Sequence, residues 1–218
     1  YNSAVEALKH FVKVLIDNNY KIFIPSFAIG RAQEIALILN DAYNIMIDGS
    51  AADISYLYEE LANINIYNAN TRSNALHAVR ISNFENNDII LSSSGMIAED
   101  STSSNYIKQL LESNEKIAVI KTGYISSESY GEALIKKWIN RNNVFIDIPL
   151  SAHAGRNDIV QIIKILNPKN VVAIYGYGLG ISNSLNNNEI HHIIMCIDFL
   201  CRCVILLLAN CHISALTD

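Results

Sequence analysis

The 218-residue sequence has few charged residues, only three prolines, and no cysteine in its first 195 positions. Charged residues make up 17% of the chain, whereas hydrophobic residues make up half of it. A chain of this composition can bury enough apolar surface to fold, which argues against intrinsic disorder. Because all four cysteines lie near the C-terminal end, no disulfide framework is expected, and we predict an intracellular, cytoplasmic location.

The sequence also lacks an excess of positive charge. Its formal net charge is −5, so bulk electrostatic attraction to nucleic acid is not expected and any contact with a polyanion must be local. It begins at Tyr1 without a methionine or a signal-like apolar segment, and we expect a fragment that is not exported. The apolar run 193–209 contains Asp198 and Arg202, so we expect no membrane span.

Short apolar runs alternate with helical patterns along most of the chain. The runs predict strands at 21–24, 44–47, 88–91, 116–120, 143–147 and 170–174. The patterns with apolar residues every three or four positions predict helices at 4–16, 31–39, 52–61, 104–111, 131–139 and 158–166. Segment 63–85 has only weak helical spacing. The alternation predicts an α/β fold with a parallel sheet, right-handed crossovers and helices on both faces.

Small polar residues follow several of the predicted strands. In an open α/β sheet, ligands bind beyond the carboxyl ends of the strands. The residues expected at this edge are Ser26, Asp48, Ser92, Ser93, Ser94, Gly95, Thr122, Gly123, Ser151 and His153. Hydroxyl groups and closely approaching backbone N–H groups suit an anionic oxygen such as a phosphate. The alternative for 92–95 is a tight turn whose hydroxyls only stabilise the backbone.

Several blocks of residues, in one order along 5–176, resemble the signatures of a known family. The blocks read IPSFAIGRAQE at 24–34, DG at 48–49 followed by 54–58, IILSSSGM at 89–96, TGY at 122–124, SAHA at 151–154 and LNPK at 166–169. They resemble the β-CASP metallo-β-lactamase nucleases. That family includes the nuclease subunit of the cleavage and polyadenylation machinery, ribonuclease J, and prokaryotic RNA-processing exonucleases.

The resemblance implies a division of the chain into three parts. Residues 1–142 resemble a β-CASP domain that is incomplete at its N-terminus. Residues 143–176 resemble the segment that returns to a metallo-β-lactamase αββα domain, whose N-terminal half would be a missing partner. Residues 177–218 resemble no part of the family, and we consider this tail frameshifted or non-native because the resemblance ends directly after Gly176. A charged helix encoded in another reading frame would support that hypothesis.

The resemblance further implies that the complete protein hydrolyses phosphodiester bonds of single-stranded RNA with two zinc ions. Two such metals stabilise the attacking and the leaving oxygen together. His153 is the expected catalytic residue, which donates a proton to the leaving oxygen or steadies the scissile phosphate. Ser92, Ser93, Ser94, Gly95 and Ser151 are the expected contacts to RNA phosphates. Endonuclease and exonuclease action, RNA and DNA substrates, and partnership in a homodimer or a processing complex stay open.

Three departures from the family pattern bear on activity. The sequence has no H-x-H-x-D-H zinc motif, and Tyr175 occupies the position of a zinc-ligand histidine, for which a phenol is a poor substitute. Glu99, Asp100 and Glu132 place negative charge where RNA is expected to pass. This chain alone is therefore expected to bind no zinc and to be inactive. The alternative function is that of an inactive pseudo-nuclease, an RNA-binding or structural subunit.

The remaining polar residues receive more ordinary interpretations. Arg31 is expected to pair with Glu34 or Asp48, and Lys121 is a weaker candidate for a phosphate contact. His10 and His77 are interpreted as ordinary surface or half-buried positions. The tail cysteines are spaced C-x4-C-x-C-x7-C, which fits no C-x2-C zinc pattern. A plain nucleotide-binding domain is disfavoured, because neither G-x-x-x-x-G-K-[ST] nor G-x-G-x-x-G occurs.

Overall fold

The structure is a computed structural model, and it describes residues 1–68, 70–74, 76–150, 156–168, 171–174, 193–196 and 204–207. The chain divides into two compact units, Tyr1–Leu150 and Ser151–Asp218. Within the described ranges, no helix has the length and the apolar character that crossing a membrane requires.

The first unit is built on a six-stranded sheet. Its strands are β1 (Lys21–Pro25), β2 (Ile45–Asp48), β3 (Thr71–Ser73), β4 (Ile89–Ser92), β5 (Ile117–Lys121) and β6 (Val144–Asp147). Their order in the sheet is β3-β2-β4-β1-β5-β6, and every pair is parallel. The predicted parallel α/β sheet is therefore confirmed.

Helices cover both faces of this sheet. They are α1 (Asn2–Asp17), α2 (Arg31–Leu39), α3 (Ser50–Ala62), α4 (Thr102–Glu112) and α5 (Tyr130–Asn140). Ile22 and Ile24 of β1 belong to a core that includes buried residues of α1, α2 and α3. Phe23, between them, belongs to a second core with α4 and α5. Because the strands are buried on both faces, their sequences are continuous apolar runs without polar alternation.

The predicted helix and strand bounds agree with the structure to within two residues at each end. The segment 63–85, to which the sequence patterns assign no element, contains β3 and a 3-10 helix at Ile81–Phe84. The sequence of β3 is polar and has no apolar run. The strand β3 pairs with β2 at the edge of the sheet. The turn that precedes it is stabilised by the side chain of Asn68, whose oxygen accepts the N–H groups of Asn70 and Thr71 at 2.8 and 2.9 Å.

β6 ends the sheet of the first unit. Its residues pair with β5 up to Lys121 and Asp147, and Ile148 and Leu150 join the core that faces α1–α3. The compact unit thus extends to Leu150. The family resemblance implies a boundary between a β-CASP domain and a metallo-β-lactamase segment at residues 142 and 143, and that boundary stays a prediction.

The second unit contains a helix and three strands among its described residues. They are α6 (Arg156–Leu166), β7 (Val171–Ile174), β8 (Ile193–Cys196) and β9 (Val204–Leu207). β7 pairs in parallel with β8 and antiparallel with β9. The tail, which the sequence left unassigned, thus contributes two strands to this sheet, and the proposed frameshift stays a hypothesis.

Gly131 generates a testable prediction about the packing of α5. A Cβ at Gly131 would be in close conflict with the carbonyl oxygen of Met96 and would lie 3.1 Å from Cβ of Ile97. Alanine in a helix is normally more stable than glycine by about 1 kcal/mol. We expect Gly131→Ala instead to lower the free energy of unfolding by about 1–3 kcal/mol through overpacking, measured by urea denaturation.

A matched control lies in the same helix. Ala133 is exposed, and Ala133→Gly should cost about 1 kcal/mol from helix propensity alone. A Gly131→Ala protein that is more stable than the unsubstituted chain would contradict the close approach of α5 to Met96.

Candidate functional site

A cleft lies where the connections that leave β1 and β4 separate. These strands are neighbours, but β1 leads to α2 on one face of the sheet and β4 leads to α4 on the other face. Such a switch point is where open α/β sheets bind ligands. The cleft has a volume of about 420 Å³ and is lined by Phe27, Ala28, Ser50, 93–95 and 100–102.

Ser92 lies at the end of β4 and is fully buried. Its hydroxyl donates to the carbonyl oxygen of Ser93 at 3.3 Å. Its own carbonyl oxygen accepts the N–H of Ser26 at 2.8 Å and the hydroxyl of Ser103 at 2.7 Å. Ser92 therefore connects the loop after β1 to the start of α4.

Ser93 and Ser94 line the cleft. The Ser93 hydroxyl oxygen accepts the N–H of Ala51 at 3.3 Å, and the Ser94 hydroxyl oxygen accepts the N–H of Met96 at 3.2 Å. Both side chains thus have the turn-stabilising role that the sequence offered as an alternative. Because each oxygen acts here as an acceptor, its hydroxyl hydrogen can still be donated to a ligand.

Two glycines allow the walls of the cleft to approach each other. A Cβ at Gly95 would lie 2.6 Å from the backbone nitrogen of Phe27. A Cβ at Gly49 would lie 2.7 Å from Thr102 Oγ1 and 2.8 Å from Ser93 Oγ. Gly49 also has φ +68° and ψ −159°, a backbone conformation that only glycine adopts readily. Side chains at these positions would push the loops apart.

Two helices begin at the cleft. Ser50 is the first residue of α3 and Thr102 is the first residue of α4, and both line it. Ser101 caps α4 by accepting the N–H of Ser104 at 3.1 Å. Helix N-termini carry partial positive charge, so both favour an anion in the cleft.

Arg31 and Lys121 are both paired with carboxylates. Arg31 is buried, and its guanidinium donates to the Glu34 carboxylate and to the carbonyl oxygen of Leu150. Of the two expected partners, Glu34 is the one observed. Lys121 Nζ lies 2.6 Å from the Asp147 carboxylate. The positive charge of Lys121 is therefore paired with a carboxylate on the neighbouring strand.

Two of the three acidic residues that depart from the family pattern, Asp100 and Glu132, have local partners. Asp100 is exposed at the rim of the cleft, 3.6 Å from Lys108 Nζ. Ser129 caps α5 by accepting the N–H of Glu132, and the Glu132 carboxylate accepts the N–H of Glu128, the residue before the cap, at 2.8 Å. The hydrogen bond from Glu128, and then the nearby Lys136, hold the pKa of Glu132 below its usual value. Glu132 thus stabilises a helix end.

A buried carboxylate organises the same edge of the sheet. Asp48 ends β2 and has no exposed surface. Its oxygens accept the N–H of Gly49 at 2.6 Å, the hydroxyl of Tyr106 at 2.6 Å and the amide of Asn74 at 2.9 Å. His77 Nδ1 lies 3.4 Å from Asp48 Oδ1. One side chain therefore joins the start of α3, the middle of α4 and the segment after β3.

His77 bridges two carboxylates. Its Nε2 lies 3.2 Å from Asp53 Oδ1, in addition to the contact with Asp48. The side chain is 37% exposed, so His77 lies at the surface, one of the two positions expected from the sequence, but its contacts were not predicted. Asp48, Asp53 and His77 lie on different elements, and no spacing in the sequence indicates that they meet.

Tyr106 provides a prediction for this network. Its hydroxyl donates to Asp48 and accepts the amide of Asn83 at 2.6 Å. Tyr106→Phe leaves both partners short of a hydrogen bond, and we expect a loss of about 1–3 kcal/mol in the free energy of unfolding. Tyr124→Phe is the matched control, because Tyr124 is exposed and should change stability by less than about 0.5 kcal/mol.

The same pair of proteins predicts a pH dependence. Burial, and then the hydrogen bond to Asp48, raise the pKa of Tyr106 above its ordinary value of 10.0. Above pH 10.0 the unfolded chain loses this proton and the folded chain keeps it, so the stabilisation from Tyr106 is lost as the pH rises. The free energy of unfolding should fall more steeply above that pH in the unsubstituted chain than in Tyr106→Phe. Identical slopes would contradict the buried, protonated phenol.

The other predicted site residues, Ser151, His153 and Tyr175, lie outside the described residues. Among the residues that the structure does describe, no group of three or more histidine, cysteine, aspartate or glutamate side chains could hold a metal ion. This includes Asp48, Asp53 and His77, because the imidazole presents a different nitrogen to each carboxylate. The described residues therefore do not fit a zinc centre. They bring together residues 92–95, here called the serine loop, with Phe27 and two helix starts, and of these only the serine loop was predicted as a site.

Comparison with known proteins gives one family model and several relatives. Residues 138–176 match the model described as the Zn-dependent metallo-hydrolase RNA specificity domain. The chain is 30% identical over 192 residues to the probable RNase MJ4 of Methanocaldococcus jannaschii, which covers 76% of this chain and 43% of that protein.

Two further relatives are a transcription termination factor and a subunit of a complex. The transcription termination factor FttA of Methanococcus maripaludis is 28% identical over 215 residues, with 78% of this chain and 34% of that protein covered. Integrator complex subunit 11 of Danio rerio is 24% identical over 189 residues, with 74% and 31% covered. The chain thus spans less than half the length of these relatives.

Proposed function

Because the chain belongs to the β-CASP metallo-β-lactamase family, we propose that the whole protein is an RNA-processing nuclease that hydrolyses single-stranded RNA with zinc. The match to an RNA specificity domain and the names of the relatives support this proposal. The observation that carries it is the cleft at the carboxyl edge of the sheet, which combines hydroxyl donors with two helix starts. We propose that this chain holds the RNA.

The proposed contact in the cleft is to a backbone phosphate. Ser93 and Ser94 donate their hydroxyl hydrogens, and Gly95 lets the phosphate approach the backbone. The N-termini of α3 and α4 add partial positive charge without a cationic side chain. Ser92 is not part of the proposed contact, because it is buried and its hydroxyl is donated to Ser93.

Zinc belongs to the proposal through the family domain, whose description names it. Two ions are proposed for the whole protein, where they would stabilise the attacking and leaving oxygens. Because the described residues do not fit a metal centre, the ligands would come from a metallo-β-lactamase half. His153 is proposed as proton donor and Ser151 as a second phosphate contact, in a cytoplasmic protein that acts as a homodimer or within a processing complex.

The second candidate is a pseudo-nuclease that binds RNA without cleaving it. Tyr175 favours it, because a phenol at the family's zinc-ligand position weakens a metal site. Both candidates share the RNA-holding cleft, so a binding assay tests what they have in common and a hydrolysis assay separates them.

Ser94→Ala tests the cleft. We expect about tenfold weaker binding of a fluorescent single-stranded RNA in an anisotropy titration, because one hydrogen bond to a charged phosphate oxygen is lost. Ser82→Ala is the matched control, since Ser82 is an exposed serine of the 3-10 helix and does not line the cleft. Equal affinity of the Ser94→Ala and Ser82→Ala proteins would contradict the proposed phosphate contact.

His153→Ala tests hydrolysis in the protein encoded by the whole open reading frame. We expect a single-turnover rate about 10²-fold lower or more with zinc present, the usual size of a general-acid contribution. His10→Ala, at an exposed position of α1, should leave the rate unchanged. If the unsubstituted protein binds RNA and does not cleave it with zinc supplied, the pseudo-nuclease is supported and the nuclease is refuted.

A further inference from the structure

We propose that Phe27 is a stacking platform for a nucleobase of single-stranded RNA whose phosphate occupies the neighbouring cleft. This inference rests on the proposed function and adds the group that recognises the base. Phe27 follows β1 and lines the cleft together with the serine loop. The site thus provides an aromatic ring and hydroxyl donors side by side, which are the two kinds of contact that hold a single-stranded nucleotide.

The ring of Phe27 is fixed in position by two glycines. A Cβ at Gly95 would lie 3.1 Å from Phe27 Cγ, and a Cβ at Gly123 would lie 2.9 Å from Phe27 Cε2. The ring therefore packs directly against backbone that bears no side chain at either position. Since it is already held in place, it loses little conformational freedom when a ligand binds.

Phe27 is nevertheless not part of either hydrophobic core. Its side chain is 39% exposed, whereas Phe23 on the preceding strand is fully buried. A rigid, solvent-exposed aromatic ring next to a polar cleft leaves apolar surface uncovered in the free protein. A stacked base would cover that surface.

The charges around the cleft favour stacking as a source of affinity. Asp100 at the rim is paired with Lys108, and the Arg31 guanidinium behind the loop is occupied by Glu34. Counterion release by cationic side chains therefore contributes little to binding. Since every base has a π-face, contact with Phe27 is expected to be tolerant of RNA sequence.

The test compares two probes on the full 218-residue chain. One is a short fluorescent oligouridylate, and the other is an oligonucleotide of equal length in which abasic spacers replace the nucleosides. Phe27→Leu should weaken oligouridylate binding about tenfold and leave the affinity for the abasic probe unchanged, because only a base can stack. Phe27→Tyr should keep the affinity for both probes. Ile29→Ala is the control, because Ile29 is exposed on the same loop but does not line the cleft.

A second measurement needs no substitution and so does not depend on a folded variant. A single 5-iodouridine in the oligouridylate should form a photocrosslink to Phe27 in the unsubstituted chain. The stacking role is overturned if crosslinks form only at other residues, or if Phe27→Leu weakens the binding of both probes equally. Neither result contradicts the proposed phosphate contact in the cleft. If the unsubstituted chain binds neither probe, the proposed function and this inference are both overturned.

Discussion

The buried carboxylate of Asp48 is the constraint on which the carboxyl edge of the sheet depends. It gathers hydrogen bonds from Gly49 at the start of α3, from Tyr106 in α4, and from Asn74 after β3. Removing one partner of a buried charge costs several kcal/mol, roughly 3–5 where an ion pair is broken. The three elements are therefore fixed relative to β2, and with them the two helix starts that line the cleft.

The cleft follows from topology and from two close approaches. Neighbouring strands β1 and β4 send their connections to opposite faces. Gly95 lets the loop after β4 pack against the loop after β1, and Gly49 lets the turn after β2 approach Ser93 and Thr102. What the cleft offers a ligand is hydroxyl groups, helix N-termini and one aromatic ring, in a chain whose net charge is −5. That combination suits local recognition of one nucleotide better than long-range attraction of a polyanion. Metal chemistry is a separate contribution, which the described residues do not make.

Regular elements were predictable from the sequence because their burial follows the period of the backbone. β1 and β4 are continuous apolar runs, and the helices repeat apolar residues on one side. β3 was not predictable, because it is a short polar strand that pairs with β2 at the edge of the sheet after a turn stabilised by Asn68. For the site, the serine loop was visible as a motif after a strand. Phe27 and the contacts of His77 were not, because they arise from tertiary approach between distant segments.

The most direct test of the account is an amide NMR titration of the isotope-labelled chain with a short single-stranded RNA. We predict that the largest chemical-shift changes fall on 93–95 and 100–102, on the loop after β1, and at the start of α3, because these residues line the cleft. Shift changes confined to the opposite, amino edge of the sheet, where Lys21 pairs with Asp88, would contradict it.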